Sequence, residues 1–352
     1  MLDANLSRWL EAHAEPLDRG EHDAENVLPQ LAASGLLGLG VSESLGGAGG
    51  TTLDAVDAVA EVATYSLTSA FVLWGQRSFI EYLLVSDNAG LRERLLGDLL
   101  AGRVAGATGL SNAMKFLSGI EQLGVCAQEE QNGWRLNGRM PWVTNLRKGG
   151  YVAAAAIDLP GREPFVAALP GELPGLQRSD DLQLIGMQSS NTAALDVRDV
   201  QLDRDWLLGE NARSYLGQVR PAFLGLQCGM SIGLARRALA EARRNLDFRR
   251  SVLEDEFQRV SDQLASAEAQ LKQGLADGRF VGQPAAMFHV RIALAESVAD
   301  AIQLELQTSG GKAYLQAHGE GFARRLRESA FVPVITPSLV QLKTELQRLA
   351  NA

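Results

Sequence analysis

The hydrophobic period of this chain changes twice, and that limits its possible folds more than any other feature. Up to about residue 100, and again from about Asn211, apolar side chains recur every three or four residues. Between Gly102 and Leu202 they come in short runs bounded by glycine, proline or polar turns. The first spacing covers one face of a helix; the second suits short strands. The chain therefore reads as α+β and mostly helical. It has a helical domain over 1–103, a small β-barrel or sandwich over 104–212, and a helical bundle over 213–352.

In the first segment, Leu2, Leu6 and Leu10 predict one amphipathic helix, stopped by Pro16. A second helix is expected over Ala24 to Ser34, ending at Gly35. The glycine cluster at 46–50 has no strand before it, so it reads as a connector rather than a dinucleotide fingerprint. Thr51 or Thr52 can cap the next helix, and two more fit Thr68 to Val85 and Gly90 to Ala101. Six strands are expected in the middle segment, at Val104 to Leu110, Leu123 to Gln128, Trp134 to Leu136, Tyr151 to Ile157, Phe165 to Leu169 and Ala193 to Leu202. Asn137-Gly138 reads as the turn closing a short hairpin strand. Trp142 and Thr144, two residues apart, would project to one face of a strand and line one pocket wall. Towards the end, Phe257, Val260, Leu264, Ala267 and Leu271 make one apolar seam, and Met287 to Leu304 another. The link 276–284 makes them an antiparallel pair.

A length of 352 residues allows a large core, and a formal net charge of -9 argues against nucleic acid and against an electrostatic membrane clamp. Cys126 and Cys228 are the only cysteines, which points to a reducing, cytoplasmic setting. No uncharged run reaches membrane-spanning length. The histidines at 13, 22, 289 and 318 show no metal spacing. Gly109 to Ala113 approaches a nucleophile elbow without its closing glycine or following helix.

The order of domains and several motifs resemble the acyl-CoA dehydrogenase family. The residues that carry the resemblance are Leu31 to Val41 with the glycines at 46–49, Ala101 to Ser111, Leu136 to Asn145, and Gln307-Thr308-Ser309-Gly310-Gly311. The resemblance implies a C-terminal four-helix bundle and an FAD cradled between the β domain and the C-terminal helices. It places Trp142 on the isoalloxazine, Thr144 at its N5 edge, Ser111 near its pyrimidine side and Arg249 on the diphosphate. Gln307, Gly310 and Gly311 would reach the adenosine half bound by a neighbouring subunit, in a homodimer or homotetramer. Residue by residue, simpler readings stand beside these. A strand tryptophan is commonly core, the arginines at 236, 237, 243, 244, 249 and 250 also fit a solvated helix face, and Gly310-Gly311 also fits a helix C-cap.

The resemblance breaks at the base. Members of that family remove an α-proton from an acyl thioester with a glutamate while a hydride passes to flavin N5. Here Thr336 takes the glutamate's place, and the position used by a minority of members falls on Phe223 or Leu224. A threonine hydroxyl is far too weak a base for that proton. The loop Asn112 to Phe116 also lacks the family's acidic-glycine pattern. Three functions follow from the resemblance. One is an FAD-dependent oxidoreductase acting on the CH–CH group of an acyl thioester, such as an acyl-CoA, with electron-transfer flavoprotein as its partner. Another is a monooxygenase of the same fold, using oxygen and reduced flavin from a reductase. The third is a non-catalytic relative that binds a ligand or a partner.

Overall fold

The structure is a computed structural model. It describes residues 2–351 except Ser118, Ile120 and Asp247, and omits the side chains of 248–250. The helices α1 (Ala4–Arg19), α2 (Val27–Ala33), α3 (Thr52–Ala63), α4 (Leu67–Val85) and α5 (Ala89–Leu100) come first. Pro16 lies inside α1 rather than ending it: the helix continues to Arg19 and closes at Gly20 in the left-handed region. Its last turn is held by tertiary bonds. Asp18, 1% exposed, accepts from the Met187 amide at 2.7 Å and from Arg327 at 2.6 Å. Thr51 caps α3 through a reciprocal capping box with Asp54.

The middle segment holds β1 (Ala105–Thr108), a short helix α6 (Ser111–Leu117), β2 (Val125–Glu130), β3 (Gly133–Val143), β4 (Tyr151–Ile157), β5 (Phe165–Pro170), β6 (Leu176–Asp181), β7 (Ala193–Asp203) and β8 (Leu207–Gly209). They form two four-stranded sheets, ordered β1-β4-β5-β8 and β2-β3-β7-β6, and not a closed barrel. The sheets meet where Asp158 bonds the backbone of Val125 and Ala127 at 2.8 Å. Two strands, β6 and β8, add to the six expected, and α6 supplies the helix after Gly109 that the sequence reading denied.

Asn137-Gly138 is not a turn. The hairpin turn falls at Gln131-Asn132, and β3 runs on through Gly138 with a register shift against β7. Gly138 has φ 147°, and a Cβ there would sit 2.1 Å from the Gly124 carbonyl oxygen. Only glycine fits against Gly124 and Val125 there, and the shift against β7 makes this a bulge in a long strand. Tyr151 to Ile157 is a strand despite its alanines, every residue buried, because a sheet packed on both faces needs small side chains there.

The C-terminal part contains α7 (Ala212–Asn245), α8 (Glu254–Ala276), α9 (Arg279–Gly282), α10 (Pro284–Ser309), α11 (Glu320–Phe331) and α12 (Leu339–Ala350). The seams on α8 and α10 are buried as expected. Glycines at 225, 229 and 233 open a flat stripe on α7. A Cβ at Gly229 would meet the Val56 carbonyl at 2.7 Å, and one at Gly233 the Ala60 carbonyl at 2.1 Å. Helix α3 therefore lies backbone to backbone on α7 and fastens the N-terminal helices to the bundle. No helix among the described residues is long and apolar enough to cross a membrane.

Candidate functional site

The end of β3 is fixed from behind by a buried amide network. Asn145, with φ 64°, donates through Nδ2 to Gln76 Oε1 and to the Gly106 carbonyl, both at 3.0 Å. Gln76 in turn donates to the carbonyls of Leu99 and Val104 and accepts from the Gly106 amide. A Cβ on Gly75 would lie 3.2 Å from that of Asn145, so the glycine lets α4 close on this turn. The preceding residue, Thr144, is thereby held against Thr108 by a backbone bridge. Thr108 itself bonds the buried Tyr82 hydroxyl at 2.8 Å, and burial pushes that phenol far above its ordinary pKa.

Beyond this anchor opens a cavity of about 950 Å³, a size suited to a cofactor or a drug-sized ligand. The structure brings Ser111, Trp142 and Thr144 together on its β-side wall. Ser111 begins α6, its hydroxyl 3.5 Å from the Trp142 carbonyl. The Trp142 indole is 53% exposed although it lines a cavity, and among the described residues no hydrogen bond engages the Thr144 hydroxyl. A half-bare planar ring beside a free hydroxyl fits an isoalloxazine; the reading of Trp142 as core does not hold.

The helix-side wall is aromatic, and of its rings the sequence singles out Phe223 alone. Phe71 and Trp74, three residues apart on α4, stack at 5.3 Å with planes 6° apart. Phe331 meets Phe71 edge-on at 4.9 Å, and Phe223 lies 5.0 Å from Trp74. The heptad-like spacing of 71 and 74 was visible, but nothing in one sequence says which face of a fully buried helix borders a void.

Thr336 and Phe223, at the two positions where the resemblance seeks a base, both line this cavity. Leu224 does not. Among the described residues the only carboxylate on the wall is Glu121, at the mouth. Lys115 bonds it at 2.6 Å, and that hydrogen bond holds the Glu121 carboxyl below the ordinary carboxylate range. It is the weaker a base for it. Glu328 is buried elsewhere, accepting from the Leu67 amide and from Arg324 at 3.0 Å. None of the four histidines lines the cavity, so no imidazole serves the Ser111 elbow, and the described residues hold no metal-ligand cluster.

Thr336 sits on the segment 332–338, which a buried relay fastens. Arg291, fully buried, donates through Nε to Gln227 Oε1 at 2.8 Å and through Nη2 to the Val332 carbonyl at 2.7 Å. Gln227 Nε2 donates to the Thr336 carbonyl at 3.0 Å. Arg291 has no carboxylate partner among the described residues, and burial lowers its pKa.

Gln307, Gly310 and Gly311 lie outside this cavity, at the surface end of α10, where Gly310 at φ 61° caps the helix. Arg249 falls in a 3₁₀ turn over Phe248–Leu253, and its side chain lies outside the described residues.

Residues 1–103 match the family model "Acyl-CoA dehydrogenase, N-terminal domain". The chain is 23% identical to the probable acyl-CoA dehydrogenase YngJ of Bacillus subtilis (strain 168), over 97% of this chain and 92% of that protein. Its fold superposes on butyryl-CoA dehydrogenase from Megasphaera elsdenii with a TM-score of 0.85, at 20% identity, covering 98% of this chain and 95% of the other. KijD3 in complex with FMN and a dTDP-linked amino sugar aligns with a TM-score of 0.82 at 21% identity, over 99% of this chain and 91% of that one. A dibenzothiophene monooxygenase (TdsC) from Paenibacillus sp. A11-2 aligns at 0.78 with 17% identity, over 98% and 94%.

Proposed function

From the premise that this chain resembles the acyl-CoA dehydrogenases and shares a fold with flavin-dependent monooxygenases, we propose that it binds FAD in the cavity behind Trp142 and works as a flavin-dependent oxygenase on a small molecule. The observation that carries this reading is the wall itself: Thr336 and Phe223 both face the cavity, and the one carboxylate there among the described residues is tied to Lys115. Abstracting an α-proton needs a free carboxylate at the reacting carbon, and neither side chain is one. Bound reduced flavin would supply the electrons that activate oxygen, a chemistry favoured by an enclosed, dry pocket.

The chain's own residues have definite parts in this proposal. Trp142 would stack on the ring, Thr144 would donate from its hydroxyl to the N5 edge, and Ser111 would contact the pyrimidine side. Phe71, Trp74, Phe223 and Phe331 keep water from the reacting face. Arg249 would meet the diphosphate. Gln307 and Gly311, exposed at the end of α10, and the half-buried Gly310 between them would serve the adenosine half of a neighbouring copy in a homodimer or homotetramer. The electron donor in this reading is a flavin reductase, in the cytoplasm, where the free thiols at 126 and 228 are at home.

A second reading, dehydrogenation of an acyl thioester coupled to electron-transfer flavoprotein, draws on the name given to YngJ. Two assays separate them. In air, oxygen consumption that requires both externally reduced flavin and substrate is the expected result. Bleaching of the flavin band by butyryl-CoA, with no reductant and no oxygen, would overturn the oxygenase assignment.

A further inference from the structure

Each cation lining the cavity is already neutralised. Lys115 pairs with Glu121 at 2.6 Å, Arg139 with Asp196 at 3.0 Å, and Arg327 with Asp18 at 2.6 Å and Glu15 at 3.0 Å. For Arg327 one partner is the buried Asp18 carboxylate, so drawing the arginine away would strand that charge. A phosphate entering the mouth would find paired cations and, beside each, a carboxylate of its own sign. Deeper in, the wall is the parallel Phe71-Trp74 step with Phe331 edge-on, and the Trp74 indole N–H is spent on the Phe223 carbonyl at 3.3 Å. That wall offers apolar ring edges, with Phe331 the most accessible, and no free charge.

We infer that the substrate class of this cavity is a neutral, mainly apolar molecule carrying an aromatic ring, and not a nucleotide-linked thioester. The inference rests on the flavin site proposed above, since it assigns the space left beside the ring. An aromatic substrate gains from offset or edge-on contact with Phe71, Trp74 and Phe331 while leaving the three ion pairs intact. A coenzyme A phosphate must break at least one of them or bind without cations.

The test titrates flavin-loaded protein with naphthalene, indole and butyryl-CoA, following the visible flavin band and the tryptophan fluorescence. Saturable perturbation by the two neutral rings, unchanged between low and high salt, is expected, with butyryl-CoA at least tenfold weaker. Phe331→Ala and the volume-keeping Phe331→Leu should each weaken ring binding several-fold. Butyryl-CoA binding more tightly than either ring, with an affinity that falls as salt rises, would overturn the inference, and so would binding of none of the three. Retention of the yellow band through gel filtration judges the flavin site separately. If that band is lost, ring titration of the colourless protein by Trp74 and Trp142 fluorescence still decides the substrate class.

Discussion

Gln227 joins two groups that have no other way to reach each other. Its side chain accepts from a fully buried guanidinium at 2.8 Å and donates to the backbone of the residue standing in the base position at 3.0 Å. Replacing it by leucine keeps the volume and removes both bonds. The bond to charged Arg291 is worth roughly 1.5–3 kcal/mol and the neutral one to the Thr336 carbonyl about 0.5–1.5 kcal/mol. The sum is about 2–4.5 kcal/mol. The upper half is expected, because Arg291 is left with the Val332 carbonyl as its remaining partner among the described residues, and a stranded buried charge is penalised heavily. Against a total stability of about 5–15 kcal/mol this is a large loss. The assay is urea unfolding of Gln227→Leu beside the parent, with ring-ligand affinity measured on the folded fraction. Gln227→Glu separates the two bonds: it keeps an acceptor for Arg291, loses the donor to Thr336, and should cost about 1 kcal/mol. A loss below about 1 kcal/mol for the leucine variant would mean that other groups hold 332–338, and the relay would not be what positions Thr336.

Trp142→Ala should leave the unfolding midpoint nearly unchanged, since the indole is half exposed, while weakening FAD binding by about 1 kcal/mol or more, read as a several-fold rise in Kd by flavin fluorescence. Gly138→Ala forces a Cβ 2.1 Å from a backbone oxygen at φ 147°, so a loss of about 2 kcal/mol or more is expected in thermal unfolding, and an unchanged midpoint would contradict the bulge. Burial pushes the Cys228 thiol up to about 12, so alkylation in the folded protein at pH 8 should label Cys126 alone, and urea should add a second label detectable by mass. Burial and the neighbouring Asp158 also raise the pKa of Cys126, so its labelling should quicken as the pH climbs past the ordinary thiol range.

Much of this architecture could be read from apolar spacing. The helices over 52–63, 67–85 and 254–276 and the placing of Trp142 beside Thr144 follow from periods of 3.6 and 2. What escaped was whatever tertiary contacts decide. Pro16 reads as a stop, yet the bonds from Asp18 to Met187 and Arg327 keep the last turn of α1 wound. Asn137-Gly138 reads as a turn because the residues suit one. What calls for glycine at 138 is the close approach of Gly124, a residue distant from that dipeptide along the chain. The strand over Leu176–Asp181 is polar and part-exposed along its length, so it carries no alternation to detect. The partners of Arg291 and the emptiness beside Phe71 and Trp74 exist only in three dimensions. A single sequence could mark Thr336 as a misfit, but not show that it faces the same void as Trp142.

The glycine stripe on α7 has a bearing on traffic. With α3 seated directly on that helix, the first third of the molecule cannot swing like a jaw against the last without tearing apart two backbones in contact. Entry to the cavity must therefore be a local affair, and residues 184–187 line it with Ile185 78% exposed. The chamber's main walls thus keep their spacing while a substrate comes and goes.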